Sequence, residues 1–152
     1  MASVIDLPQH VAILQESYRH WTGRTLLTAE ISGEDAVQWL DKTSFAVVSH
    51  DIQPDPVFNY ANRAALRLFG VTLEQFTEWP SRLSAEPTEQ GKRARLMEQV
   101  SRDGYIEGYS GTRIAGDGRK FMILNATVWN LLDERGKYYG QAAMIPQWSA
   151  CV

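Results

Sequence analysis

Residues 55–76 read D-P-V-F-N-Y-A-N-R-A-A-L-R-L-F-G-V-T-L-E-Q-F, and this stretch decides the fold. The short apolar run at 57–60 predicts a strand that feeds directly into a helix of small residues, which Gly70 stops. Asn62 falls at the start of that helix. Its side chain can satisfy a free backbone N–H there or tie the helix to the neighbouring strand. Thr72 with Gln75 forms a capping-box pattern for a second short turn, and Pro80 ends it.

Working outward, residues 45–49 predict a first strand that pairs with 57–60 through a long turn holding Pro54 and Pro56, residues that cannot donate to a sheet ladder. Residues 88–103 predict a longer helix with Leu96, Met97 and Val100 on its inner face and Gly104 as its stop. Three strands follow at 105–114, 120–129 and 138–145, joined by A-G-D-G and E-R-G-K turns. Five antiparallel strands with helices on one face make an α+β layer. Ahead of this part, Val11, Leu14, Tyr18 and Trp21 recur at helical spacing within 10–21, and S-G-E-D after Ile31 opens a second helix carrying Ala36, Val37 and Leu40.

A chain of 152 residues suits one domain. A formal charge of -3 leaves no basic excess to attract phosphate backbones, so nucleic-acid binding is not expected. The single cysteine, Cys151, allows neither an internal disulfide nor a thiolate metal cluster. No apolar run reaches the ~18 residues that span a bilayer, and M-A-S-V-I-D-L-P lacks the cationic start of a signal peptide. A cytoplasmic protein without membrane contact is expected.

Three further stretches, W-P-S-R-L-S-A-E-P from Trp79, G-Y-I-E-G-Y-S-G-T-R-I from Gly104 and V-W-N-L from Val128, keep their order along the chain. Together with the 55–76 stretch they resemble the MEKHLA domain, a PAS-like family, over residues 45–145. The resemblance implies a PAS-like sheet in the order 2-1-5-4-3, with residues 1–44 as an N-terminal helical extension and 45–152 as the family domain of one structural unit. It also implies a sensory or interaction module whose sheet lines a ligand cavity. Flavin photoreceptors of the PAS class need a cysteine on the helical wall, and this region has none. Haem-binding PAS domains usually take a histidine from the long helix; 88–103 contains none, and His50 at a strand end reads as a cap. The cofactor is left open.

The A-G-D-G turn predicts a three-residue hairpin loop ending in a left-handed Gly118. That register sets odd residues opposite odd ones. Tyr105, Glu107, Tyr109 and Arg113 then share a mixed face with Phe121, Ile123, Asn125, Thr127 and Trp129, and the even residues form an apolar face. Tyr109, Arg113, Asn125 and Thr127, with Phe121 and Ile123, are the expected ligand-binding residues. Leu66, Phe69, Leu96 and Met97 form the opposite wall. A ligand can satisfy these polar groups; alternatively Arg113 pairs with Glu107, Asp103 or Glu86 and the polar groups satisfy one another. Trp79 and Trp129 read as core.

Enzymatic readings find little support. His10, His20 and His50 lie in neither G-x-S-x-G nor H-E-x-x-H. Gly108 and Gly111 fall inside a predicted strand rather than a phosphate-binding loop. The leading expectation is a stand-alone sensory module that binds a small organic ligand and signals to an unknown protein partner. A ligand-free interaction domain comes second, and a small-molecule enzyme using Arg113 and Tyr109 last. The apolar stripe of the leading helix sets the expectation of a homodimer through it.

Overall fold

The computed structural model describes residues 6–28, 30–84 and 90–150. Two helices, α1 (Leu7–Thr22) and α2 (Gly33–Lys42), precede the hairpin β1 (Ala46–His50) and β2 (Phe58–Ala61). Helices α3 (Arg63–Phe69) and α4 (Leu73–Phe76), a 3-10 turn (Ser81–Ser84) and α5 (Gln90–Asp103) come next. The chain closes with β3 (Tyr105–Ile114), β4 (Lys120–Leu132), β5 (Tyr138–Ile145) and β6 (Gln147–Ala150).

The sheet is antiparallel with the order β2-β1-β5-β4-β3, as expected, and β6 is an addition that also pairs with β4. Thr127 faces Met144 on β5 and Ile123 faces Trp148 on β6, which is one unbroken register. β6 is therefore the lane of β5 resumed beyond Pro146, whose missing N–H interrupts the ladder. Five lanes become six strands for that reason.

Alternating side chains give the sheet two apolar faces. The inner face packs on α3, α4 and α5 through Val48, Phe69, Phe76, Leu96, Val100, Ile123, Val128 and Ile145. The outer face, with Val47, Trp129, Leu131 and Ala142, is covered by Val11, Leu14 and Tyr18 of α1 and by Ala36, Val37 and Leu40 of α2. Trp129 is fully buried there, and Trp79 packs half-buried against the inner cluster. The α1 stripe expected to face a second copy thus covers the molecule's own sheet. Val11, Leu14 and Tyr18 are at most 5% exposed, so they offer no surface to a partner.

Asn62 joins these layers. Its Oδ1 accepts from Ala65 N at 3.1 Å, capping α3, and from Val47 N at 3.0 Å, holding β1. Its Nδ2 donates to the carbonyls of Leu40 at the end of α2 and Phe45, each at 2.9 Å. Both readings of this residue hold at once. The Thr72–Gln75 capping box also forms, with both reciprocal bonds.

Behind α1 lies a second buried polar cluster. His10, with no exposed surface, meets Ser49 Oγ at 2.9 Å through Nε2 and Tyr139 OH at 3.2 Å through Nδ1. Ser49 Oγ in turn donates to Asn59 Oδ1. Burial pushes the His10 pKa down to about 4, because the imidazolium would lose its hydration with only neutral partners around it.

Candidate functional site

Tyr109, Gly111 and Arg113 alternate along β3 and face inward, since Gly111 stands opposite Ile123 and Arg113 opposite Phe121. Gly111 matters for what it lacks. A Cβ there would stand 2.6 Å from the Tyr109 hydroxyl and 3.3 Å from Arg113 Nη1. Bare backbone lets the two side chains meet over it: Arg113 Nη2 donates to Tyr109 OH at 3.1 Å, and Nη1 donates to Thr112 O at 3.0 Å. The guanidinium carbon also lies 5.4 Å from the centroid of the Tyr109 ring, in cation–π range.

Arg113 is only 9% exposed. Of the carboxylates expected to neutralise it, Glu107 pairs with Arg24 and Asp103 with Arg102, while Glu86 lies outside the described residues. Among the described residues the Arg113 guanidinium makes hydrogen bonds to neutral oxygens only. A buried cation in that setting favours an anion nearby, because the uncompensated charge is costly in a medium of low dielectric.

The hairpin loop forms as expected, with Gly118 at φ 88 and its N–H bonded to Ala115 O. The pairing near the loop is also the expected one. Farther on, two bulges intervene. β3 carries an extra residue between Ile106 and Tyr109, where Gly108 has φ 69. β4 carries one between Ile123 and Ala126, where Asn125 takes φ 56. Each bulge reverses which side the following residues face.

The predicted face therefore splits. Ala126 and Val128 turn inward, while Thr127 turns outward with Trp129 and Leu131. Asn125 is exposed. Neither Asn125 nor Thr127 joins Arg113, which corrects the expected polar set. Tyr105 likewise packs against the outer cluster.

Between the inner face and the helices lies a cavity of about 60 Å³. Of the expected residues, Tyr109, Arg113, Ile123, Phe69, Leu96 and Met97 line it. Phe121 and Leu66 stand in the surrounding core instead: Phe121 meets Phe69 edge to face at 5.2 Å, and Leu66 is partly buried. Val48, Phe58, Val128 and Ile145, with Ala142 and Ala143, complete the apolar walls.

Five polar lining residues were missed from sequence: Ser49, His50, Ser81, Ser84 and Gln141. His50 Nδ1 donates to Asp51 O at 2.9 Å, as a strand-end cap should. Ser84 Oγ donates to Ser81 O at 2.8 Å. Gln141 belongs to a relay across the sheet. Asn130 Nδ2 donates to Val100 O at 3.0 Å, and Gln141 Nε2 donates to Asn130 Oδ1 at 3.1 Å. A glutamine inside the apolar strand Y-Y-G-Q-A-A-M-I is the signal that could have found it, since buried amides occur where they have partners.

Among the described residues no cluster of histidine, cysteine and carboxylate side chains could hold a metal ion, and no helix is long and apolar enough to cross a membrane.

The family model of the MEKHLA domain matches residues 8–150. The homeobox-leucine zipper protein ATHB-9 of Arabidopsis thaliana is 26% identical over 143 residues, which are 90% of this chain and 17% of that protein. The chain thus spans about a sixth of that relative's length. Among solved structures, a PAS domain from Colwellia psychrerythraea is similar with TM-score 0.63 and 18% identity, covering 73% of this chain and 92% of that one. An RNA-binding light-oxygen-voltage receptor gives TM-score 0.65 at 17% identity over 82% of this chain and 36% of its own. The light-state dimer of the fungal blue-light photoreceptor Vivid gives 0.60 at 14%, over 87% and 90%.

Proposed function

Because the chain belongs to the MEKHLA domain family and folds like PAS and light-oxygen-voltage domains, we propose that it is a sensory module that binds a small organic molecule in the inner-face cavity and signals to a partner protein. The observation that carries the binding is Arg113: a buried guanidinium at the cavity wall, with hydrogen bonds to neutral groups only among the described residues. Its planar fork keeps its charge and donates parallel bonds to a carboxylate or carbonyl. Asn125 and Thr127 point elsewhere and have no part in this site.

The family and fold are those of sensory modules rather than enzymes. The route out of the cavity runs through β4. Asn130 holds Gln141 and the end of α5 with its side chain, and its backbone carbonyl accepts from Trp21 Nε1 at 2.9 Å, near the end of α1. A ligand that shifts Asn130 therefore acts on α1, the element we assign to the partner.

A ligand-free interaction domain is the second reading, favoured by the small volume of the cavity. The Vivid dimer makes self-association a reasonable form of such interaction. With the α1 stripe buried, a homodimer would use other surfaces. A thermal-shift screen against small metabolites separates the readings. The sensory reading expects at least one compound to raise the melting temperature of the unaltered protein and not of Arg113→Gln. A flat response for both proteins supports the interaction domain.

A further inference from the structure

We infer that the cavity is built for a small carboxylic acid that also carries a hydrogen-bond donor, such as a short hydroxy acid or amino acid. This inference rests on the sensory reading above and assigns its ligand class. Two wall residues of opposite hydrogen-bonding character carry it. Arg113 on β3 supplies a buried cation with N–H groups to spare: five donors, of which two are used.

Gln141 on β5 supplies the complement. It is 3% exposed, and its Oε1 is buried without a hydrogen-bond partner among the described residues. The orientation of its amide is fixed from outside the cavity. Val100 O is a backbone carbonyl and can only accept, so Asn130 must present its NH₂ there and its oxygen to Gln141. Gln141 must then present its own NH₂ to Asn130. Reversing either amide would set two acceptors against each other. Gln141 is a lining residue of the cavity, so the leftover acceptor belongs to its wall, and a ligand hydroxyl or ammonium that reaches it would satisfy it.

Size narrows the class. A cavity needs roughly 10–15 Å³ of this kind of space per water, so about 60 Å³ holds on the order of five non-hydrogen atoms. Lactate, glycolate and alanine are near this size. A fused aromatic cofactor is far beyond it.

The test is calorimetric titration of the purified protein with L-lactate, with propionate, which lacks the donor, and with lactamide, which lacks the charge. Lactate should bind about tenfold or more tightly than either, because each analogue leaves one buried group unmatched. Gln141→Met should bring lactate and propionate to equal affinity while keeping a cooperative unfolding transition. Arg113→Gln should abolish binding of both. If Gln141→Met fails to fold, the three-compound ranking on the unaltered protein still decides. Equal affinities for lactate and propionate overturn the role of Gln141, and preference for lactamide overturns that of Arg113. If none of the three binds but native mass spectrometry finds another molecule in the protein, the ligand class is wrong and the sensory reading stands. If no molecule is found by either route, both fall.

Discussion

Replacing Asn62 by alanine removes four hydrogen bonds from a site with no exposed surface. Two of the stranded groups are N–H donors, at Val47 and at the first turn of α3; two are carbonyls, at Leu40 and Phe45. At about 1 kcal/mol net per bond, the loss is about 4 kcal/mol. A lost helix cap alone would cost about 1 kcal/mol, so the size of the effect tells a cap from a junction. Against a total stability of about 5–15 kcal/mol for a domain, Asn62→Ala should lower the urea midpoint severely without abolishing the fold. Asn62→Asp sharpens the test. It keeps the acceptor for Val47 and Ala65 but turns a carboxylate oxygen toward the Leu40 and Phe45 carbonyls. Protonation supplies a donor there, so the stability of this variant relative to the unaltered protein should rise as the pH falls through the carboxylate range. A loss under about 1.5 kcal/mol for Asn62→Ala, or an Asp variant whose relative stability falls with acid, would refute the junction.

Three other outcomes follow from the same physical reasoning. His10 is buried neutral with its pKa lowered from 6.5 to about 4, so the unfolded chain takes up its proton first, and the stability tied to this residue is lost as the pH falls from 6.5 toward 4. The difference amounts to about 3 kcal/mol; denaturant curves over that range should be flatter for His10→Gln by this amount, and parallel profiles would contradict it. Gly118→Ala should cost about 1 kcal/mol, since φ is 88 but the space around it is open; an unchanged melting curve would undermine the loop geometry. Gly104→Ala, at φ 91, adds a Cβ 2.4 Å from the Trp21 ring and should cost about 2–4 kcal/mol while displacing the end of α1, seen as a change in tryptophan fluorescence; equal losses at Gly104 and Gly118 would mean that Trp21 is not held there.

Local rules served where the chemistry was local. The cap that Asn62 puts on α3, the Thr72–Gln75 box and Gly118 each answer to backbone groups within a few residues, and each took its expected place. The lane order came from family resemblance and held. The hairpin faces failed between loop and base because two bulges, one on each strand, cancel. Tyr105 still faces Trp129 just as Arg113 faces Phe121, so the ends look regular while the middle is displaced. Gly108 inside a strand and Asn125, a residue type tolerant of positive φ, were the available signs. The α1 stripe was legible as a stripe, but an apolar helix face does not say what covers it. Here the answer was Trp129, Leu131 and their neighbours on the sheet's outer side. Gln141 depended on Asn130 and Val100, three distant positions that only the fold brings together.

Native mass spectrometry of the freshly purified protein, beside Arg113→Gln, tests the central claim most directly. The account predicts a small-molecule adduct on the unaltered protein that is released on denaturation and missing from the variant. A folded, adduct-free protein that stays so after incubation with a cell extract would contradict a ligand site anchored by Arg113.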